Sequence, residues 1–266
     1  MRASKGRGKP SAWLAAGVTA ALLAACGSST SSTSTAASTP AAGGSGGFGT
    51  TVNIPVPASL RRMPLTNQYG KTVDLESWSG KTVLLVPFLT LCQDICPMTT
   101  GNLVAAEQSL RADHQASKVQ IVELSVDPAR DTPARLAAYA KLTGADWQLV
   151  TESPAALRVL QKHFGFYYQK VPEDDPDARD WWTGKPLTYD VDHTDNYFVI
   201  DAAGVERVLQ EAAPDFHGPL NPKLYRFLDA LGRQHLKNAP QPDWTPADVL
   251  RALAVSVGTP LAASAN

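Results

Sequence analysis

Hydrophobic side chains fall along this chain in short blocks separated by turn residues. The first clear block, Thr82-Val83-Leu84-Leu85-Val86-Pro87-Phe88, is apolar almost without interruption and of strand length, which predicts a strand buried on both faces. Beyond it, Leu103, Val104, Ala106 and Leu110 recur at helical intervals behind Pro97. Proline favours the first turn of a helix, so a helix is predicted to begin at or just after Cys96. Val119 to Val126 forms a second strand, ending in Asp127-Pro128. Asp131-Thr132-Pro133 then supplies a cap and a first-turn proline for a helix through Leu136, Tyr139 and Leu142, closed by Gly144. A short strand around Trp147 to Val150, a helix from Ser153-Pro154 to about Phe164 and a Tyr-rich strand near Phe166 to Tyr168 follow. Tyr197 to Asp201 is the clearest late strand, and it turns at Ala202-Ala203-Gly204 into Val205 to Leu209 as a hairpin. One helix is predicted from Asn221-Pro222 to about Arg233, and a short one from Thr245-Pro246 through Val257. Strands alternating with helices, then a hairpin and a final helix, describe a layered α/β domain with a mixed sheet. The acidic, Pro-rich span 172–186, with Trp181-Trp182 inside it, reads as an inserted loop or hairpin.

The first residues follow a different pattern. Arg2, Lys5, Arg7 and Lys9 precede an apolar run from Trp13 through Ala25 that stops at Cys26. A basic head, a short apolar run and small residues make the layout of a secretory signal, and the run falls short of the roughly 20 residues that a membrane span needs. Leu23-Ala24-Ala25-Cys26 resembles the bacterial lipobox, whose cysteine is acylated and becomes the mature N-terminus; the plainer alternative is an ordinary signal with an incidental cysteine. Residues 26–52 are dominated by Ser, Thr, Ala and Gly, too poor in apolar surface to offset their ordering entropy, and read as a flexible tether. The organisation expected is therefore a signal over 1–25, a tether over 26–52, a folded domain over 53–238 and a C-terminal extension over 239–266. Acyl chains on Cys26 would hold the domain on the extracytoplasmic face of a bacterial cell membrane.

Charge narrows the function classes. The whole chain has 24 basic and 25 acidic residues. Loss of 1–25, with its four basic and no acidic residues, leaves a mildly acidic protein without a basic stripe, which argues against nucleic acid as a partner.

With Cys26 assigned to the anchor, two cysteines remain, Cys92 and Cys96, four apart at a predicted helix start. The partial positive charge of a helix N-terminus lowers a thiol's pKa, and the thiolate is both the nucleophile and the metal-binding form. A one-turn separation lets both sulfurs reach one ion or each other. The redox motif Cys-x-x-Cys is one residue shorter. Two soft thiolates suit copper(I) and would accept zinc, but two sulfurs leave the coordination incomplete. Of the histidines at 114, 163, 193, 217 and 235, His193 stands out: it lies just ahead of the strong strand at Tyr197, in a predicted loop with Asp190, Asp192 and Asp195.

Three ordered blocks now carry a resemblance. Leu91-Cys92-Gln93-Asp94-Ile95-Cys96-Pro97, Ser125-Val126-Asp127-Pro128-Ala129-Arg130-Asp131-Thr132-Pro133, and Val191-Asp192-His193-Thr194 before Tyr197-Phe198-Val199-Ile200-Asp201 are together similar to the SCO/SenC family, over roughly residues 55 to 235. The resemblance implies a thioredoxin-like fold with a mixed central sheet flanked by helices, and copper held by Cys92, Cys96 and His193. It also implies delivery of copper to, or reduction of cysteines at, the binuclear copper site of a cytochrome c oxidase subunit. The function expected is a metallochaperone. A thiol-disulfide oxidoreductase with Cys92 and Cys96 as its redox pair is the alternative, and a redox sensor comes third. Asp94, Asp190 and Asp192 are left as solvated carboxylates, Met98 as a core residue, and Asp127-Pro128 and Asp131-Thr132-Pro133 as turn and cap chemistry.

Overall fold

The computed structural model describes residues 48–257. Cys26, the signal and most of the tether lie outside them.

In chain order the strands are β1 (Thr50–Pro55), β2 (Leu65–Asn67), β3 (Thr72–Val73), β4 (Thr82–Phe88), β5 (Val119–Ser125), β6 (Gln148–Thr151), β7 (Tyr168–Pro172), β8 (Tyr189–His193), β9 (Tyr197–Ile200) and β10 (Val205–Gln210), with two-residue β11 (Ala213–Pro214) and β12 (Asp243–Trp244). The helices are α1 (Ala58–Arg61), α2 (Cys96–Ala112), α3 (Pro133–Thr143), α4 (Pro154–Phe164), α5 (Pro222–Phe227), α6 (Ala230–His235) and α7 (Pro246–Val257). None of the described helices is long and apolar enough to cross a membrane.

One sheet has the order β1-β10-β9-β4-β5-β6-β2-β3. β4, β5 and β6 run parallel through the crossovers α2 and α3, while β9 pairs antiparallel with β4 and β10 with β9. A βαβ unit joined edge to edge with a ββ hairpin, in the order β10-β9-β4-β5, is the core of the thioredoxin-like fold. All seven residues of β4 are buried, as its continuous apolar run requires of a central strand. Pro87 is tolerated there because β9 pairs only with Val83, Leu84 and Leu85, so no partner on that side needs its missing N–H.

Adjacent side chains on a strand point to opposite faces, which places the helices. Phe198 packs at a tilt against Phe164 of α4 at 5.0 Å between ring centroids, whereas its neighbour Tyr197 meets Trp244 edge-on at 5.4 Å, just ahead of α7. α7 and α4 therefore cover opposite faces. α2 packs against α7 and α3 on the first, and Leu60 of α1 shares a pocket with Leu160 of α4, Leu85 and Leu124 on the second.

The structure differs from the sequence-based expectation in several elements, and the strand expected near Phe166 to Tyr168 lies over Tyr168–Pro172. β1 begins at Thr50, inside the stretch read as tether, and pairs with β10. The stretch set apart as a C-terminal extension is part of the core: Trp244, Val249, Leu250, Ala252 and Leu253 are buried. The helix expected over 222–233 is broken at Leu228, where the backbone turns extended and the Asp229 carboxylate caps a second helix by accepting the Gly232 N–H at 2.6 Å. His193 is the last residue of strand β8, paired with β7 in a two-stranded ribbon, and does not sit in a loop. Helical and strand periods cannot reveal the last two, because a cap and a ribbon partner are decided by contacts distant in sequence.

Candidate metal centre

β4 delivers the chain to Thr90, Leu91 and Cys92, and the five-residue loop closes at Cys96, the first residue of α2, with Pro97 in its first turn. Cys92 Sγ accepts the Cys96 backbone N–H at 3.3 Å, an orphan donor of the helix start. Both cysteines are free and buried. His193 Nε2 lies 3.2 Å from Cys96 Sγ. The Nδ1–H donates to the Thr194 carbonyl at 3.0 Å, which orients the ring and turns Nε2 towards the sulfurs. The two sulfurs and the imidazole nitrogen all lie within 4.8 Å of one another.

The three groups perturb one another's proton affinity. The Cys92 thiol is pulled down to about 6, chiefly by the hydrogen bond from the Cys96 thiol; burial opposes this, and His193 adds a hydrogen bond and positive charge. Burial, then the neighbouring Cys92 thiolate, push the Cys96 thiol well above its ordinary range. Burial disfavours a charged His193, yet the hydrogen bond and charge of Cys92 outweigh it and hold the imidazole up to about 9. The two shifts run in opposite directions, one favouring a Cys92 thiolate and the other a protonated His193. A soft metal that takes both sulfurs and Nε2 releases protons as it binds. The donor set, two thiolates and an imidazole, fits copper by softness and offers three of the four ligands a structural zinc site uses.

The block Ser125 to Pro133 does more than turn and cap. Thr132 is the cap of α3, accepting from the Arg135 N–H. Asp131 is fully buried and accepts from the Thr90 hydroxyl at 2.5 Å, the Ser125 hydroxyl at 2.7 Å and the Thr90 N–H at 3.2 Å. It thereby pins the chain two residues before Cys92. Burial raises this carboxyl to about 6, against the hydrogen bonds that favour its ionised form. Asp127 accepts the Tyr189 hydroxyl at 2.9 Å and pairs with Arg130. Arg130 donates to the Tyr189 carbonyl at 2.7 Å and lies over its ring at 3.7 Å. Asp127 and Arg130 thus grip the start of β8, the strand whose other end is His193. Their signal in the sequence was two carboxylates and an arginine within five residues, more charge than one turn consumes.

The span between β7 and β8, expected as an insertion, is fastened as firmly. Arg135 and Asp180 form a buried two-pronged ion pair at 3.0 and 2.6 Å, and the Trp181 indole N–H donates to the Thr90 carbonyl at 2.6 Å. Asp94 bonds to His235 and not to His193. Asp190 accepts from the Val191 N–H, and Met98 packs with Ile95 and Ala213.

The SCO1/SenC family model matches residues 59–214. The chain is 31% identical over 106 residues to the SCO1 protein homolog of Bacillus subtilis, a stretch covering 39% of this chain and 54% of that protein. It therefore spans about half the length of that relative. Among solved structures, apo Sco1 from Thermus thermophilus is 32% identical with a TM-score of 0.49, covering 62% of this chain and 87% of that one. Bradyrhizobium japonicum ScoI with copper bound is 28% identical with a TM-score of 0.48, covering 66% and 99%.

Proposed function

The chain belongs to the SCO1/SenC family, and on that premise we propose that it is an extracytoplasmic copper-binding protein, tethered to the membrane through Cys26, that delivers copper to the binuclear copper site of cytochrome c oxidase. The observation that carries the reading is the convergence of Cys92 Sγ, Cys96 Sγ and His193 Nε2 within 4.8 Å, from a loop and a ribbon about a hundred residues apart. Two sulfurs and one imidazole favour copper among first-row metals, and an incomplete shell of three protein donors suits an ion that must be handed on. Copper is cargo on this reading. Cys92, Cys96 and His193 hold it, and the Asp127–Arg130–Tyr189 grip orients the histidine.

Copper titration of the purified protein tests this. One ion per chain is expected, with the affinity lowered in His193→Ala; unchanged stoichiometry and affinity in that variant would refute the three-ligand site. Release of the protein from membranes by Cys26→Ala tests the tether, and transfer of copper to the isolated, reduced copper-bearing domain of the oxidase tests delivery.

The depressed pKa of Cys92 favours a second reading, a thiol-disulfide oxidoreductase that keeps the cysteines of the oxidase subunit reduced. Reduction of an oxidised subunit domain by His193→Ala at the wild-type rate, without copper binding, would favour this reading over the first.

A further inference from the structure

The thiol loop is gripped from outside by the helix α6. The Asp229 N–H donates to the Gln93 carbonyl at 3.0 Å, and His235 Nδ1 meets Asp94 Oδ1 at 2.6 Å, so both ends of the helix bond to the two residues that follow Cys92. Between these anchors Gly232 lies flush on the loop: a Cβ there would sit 2.5 Å from the Gln93 carbonyl oxygen and 2.9 Å from Asp94 Cα. Gln93 also donates to Glu173 at 3.1 Å. Residues 229–235 lie past residue 214, where the family match ends.

We propose that α6 is a positioning clamp that holds the loop in the dithiol, metal-ready geometry and disfavours the Cys92–Cys96 disulfide. His235 and Gly232 are its positioning residues. The reasoning is geometric. Closing a disulfide brings the sulfurs to about 2.05 Å with a Cβ–S–S–Cβ dihedral of about 90°, a geometry different from that of the free thiols, in which Cys96 Sγ contacts His193 Nε2 at 3.2 Å. The backbone that links the two thiols is Gln93-Asp94-Ile95, and α6 holds its first two residues at three points. A contact made in one state and strained in the other biases the equilibrium by the difference. The inference rests on the reading of the thiol pair as the functional centre.

The test is the equilibrium of the metal-free protein with glutathione. In it Cys92 and Cys96 give up two electrons and two protons as the Sγ–Sγ bond forms, and one glutathione disulfide takes them up to become two glutathione thiols. His235→Ala is expected to shift this equilibrium toward the protein disulfide about tenfold, about 30 mV in potential. His235→Asn, which keeps a donor to Asp94, is expected to stay within about threefold of the wild type. Gly232→Ala displaces the loop from the other anchor and is expected to shift the equilibrium in the same direction as His235→Ala. His217→Ala removes a more exposed histidine whose partner, Asp215, lies outside the loop, and is expected to shift nothing. A role confined to stability would lower the urea midpoints of the dithiol and disulfide forms equally and leave the equilibrium unmoved. That result, a shift toward the dithiol, or an equal shift in His217→Ala would overturn the proposal. Copper titration of the wild type is a separate measurement, so failure of the copper reading leaves this equilibrium readable.

Discussion

Tyr189 donates its hydroxyl to Asp127 Oδ1 at 2.9 Å, joining the strand that ends in His193 to the turn that follows β5. One contact thus ties the second sequence block to the strand that carries His193, and Asp131, on the same turn, ties it to Thr90, the residue just before the first block. The candidate centre is held by this frame and not by Cys92, Cys96 and His193 alone.

Loosening the frame is expected to weaken metal binding without touching a ligand. Tyr189→Phe removes one hydrogen bond, and Arg130→Ala removes the cation over the ring together with the bond to the Tyr189 carbonyl. Losses in copper affinity of about 10-fold for the first and up to about 100-fold for the second are expected, by competition against a chromophoric chelator. Wild-type affinity in both variants would show that β8 holds His193 unaided.

The ion pair between Arg135 and Asp180 is buried on both sides, with side chains 10% and 7% exposed. Removing the arginine alone takes the charged partner from a carboxylate that this pair, with bonds from Trp182 and Thr183, holds well below its ordinary range despite the opposing effect of burial. Arg135→Ala is expected to cost about 3–5 kcal/mol in urea unfolding and to open the 173–188 span to Glu-specific proteolysis. A midpoint within error of the wild type would refute that role.

Glu152 is buried, neither carboxylate oxygen has a hydrogen-bond partner among the described residues, and Asp131 adds negative charge nearby. Burial, then Asp131, raises its pKa to about 9. A carboxyl whose folded pKa exceeds its unfolded value keeps a proton that the unfolded chain releases. Stability is therefore lost as pH rises from the ordinary carboxyl range through about 9. Glu152→Gln is expected to remove that loss and to stabilise the protein by a few kcal/mol near pH 8, with little change near pH 4. Parallel stability–pH curves for the two proteins would exclude it.

Leu253 of α7 is completely buried, and Trp244 is nearly so. Leu253→Ala is expected to cost about 2–5 kcal/mol and Trp244→Ala about 3–5 kcal/mol, by denaturant titration. A chain ending at Asn238 is expected to lack a cooperative transition, since one face of β9 would be bared.

The candidate site was readable one residue at a time. Cys92 and Cys96 stand out by spacing and by the proline behind them, and His193 by its place before a strong strand and by resemblance. Its supporting residues were harder to read. Asp127 and Asp131 look like a turn and a cap because Asp-Pro and Asp-Thr-Pro satisfy those local roles well, and local adequacy hides a distant partner. Asp94 resembles a solvated carboxylate until α6 brings His235 to it.

Periodicity by itself determined β4, β5, α2, α3, α4 and the β9–β10 hairpin, because each buries a continuous run or stripe whose period survives in the sequence. Tertiary structure alone decided the rest. The β7–β8 ribbon, the break before α6 and the burial of α7 depend on pairings across tens of residues, which leave no local period. His193 meets the thiols from a strand joined to Asp127 through Tyr189 and paired with β7, and the Gln93–Asp94 backbone becomes a gripped loop only when Gly232 lies against it.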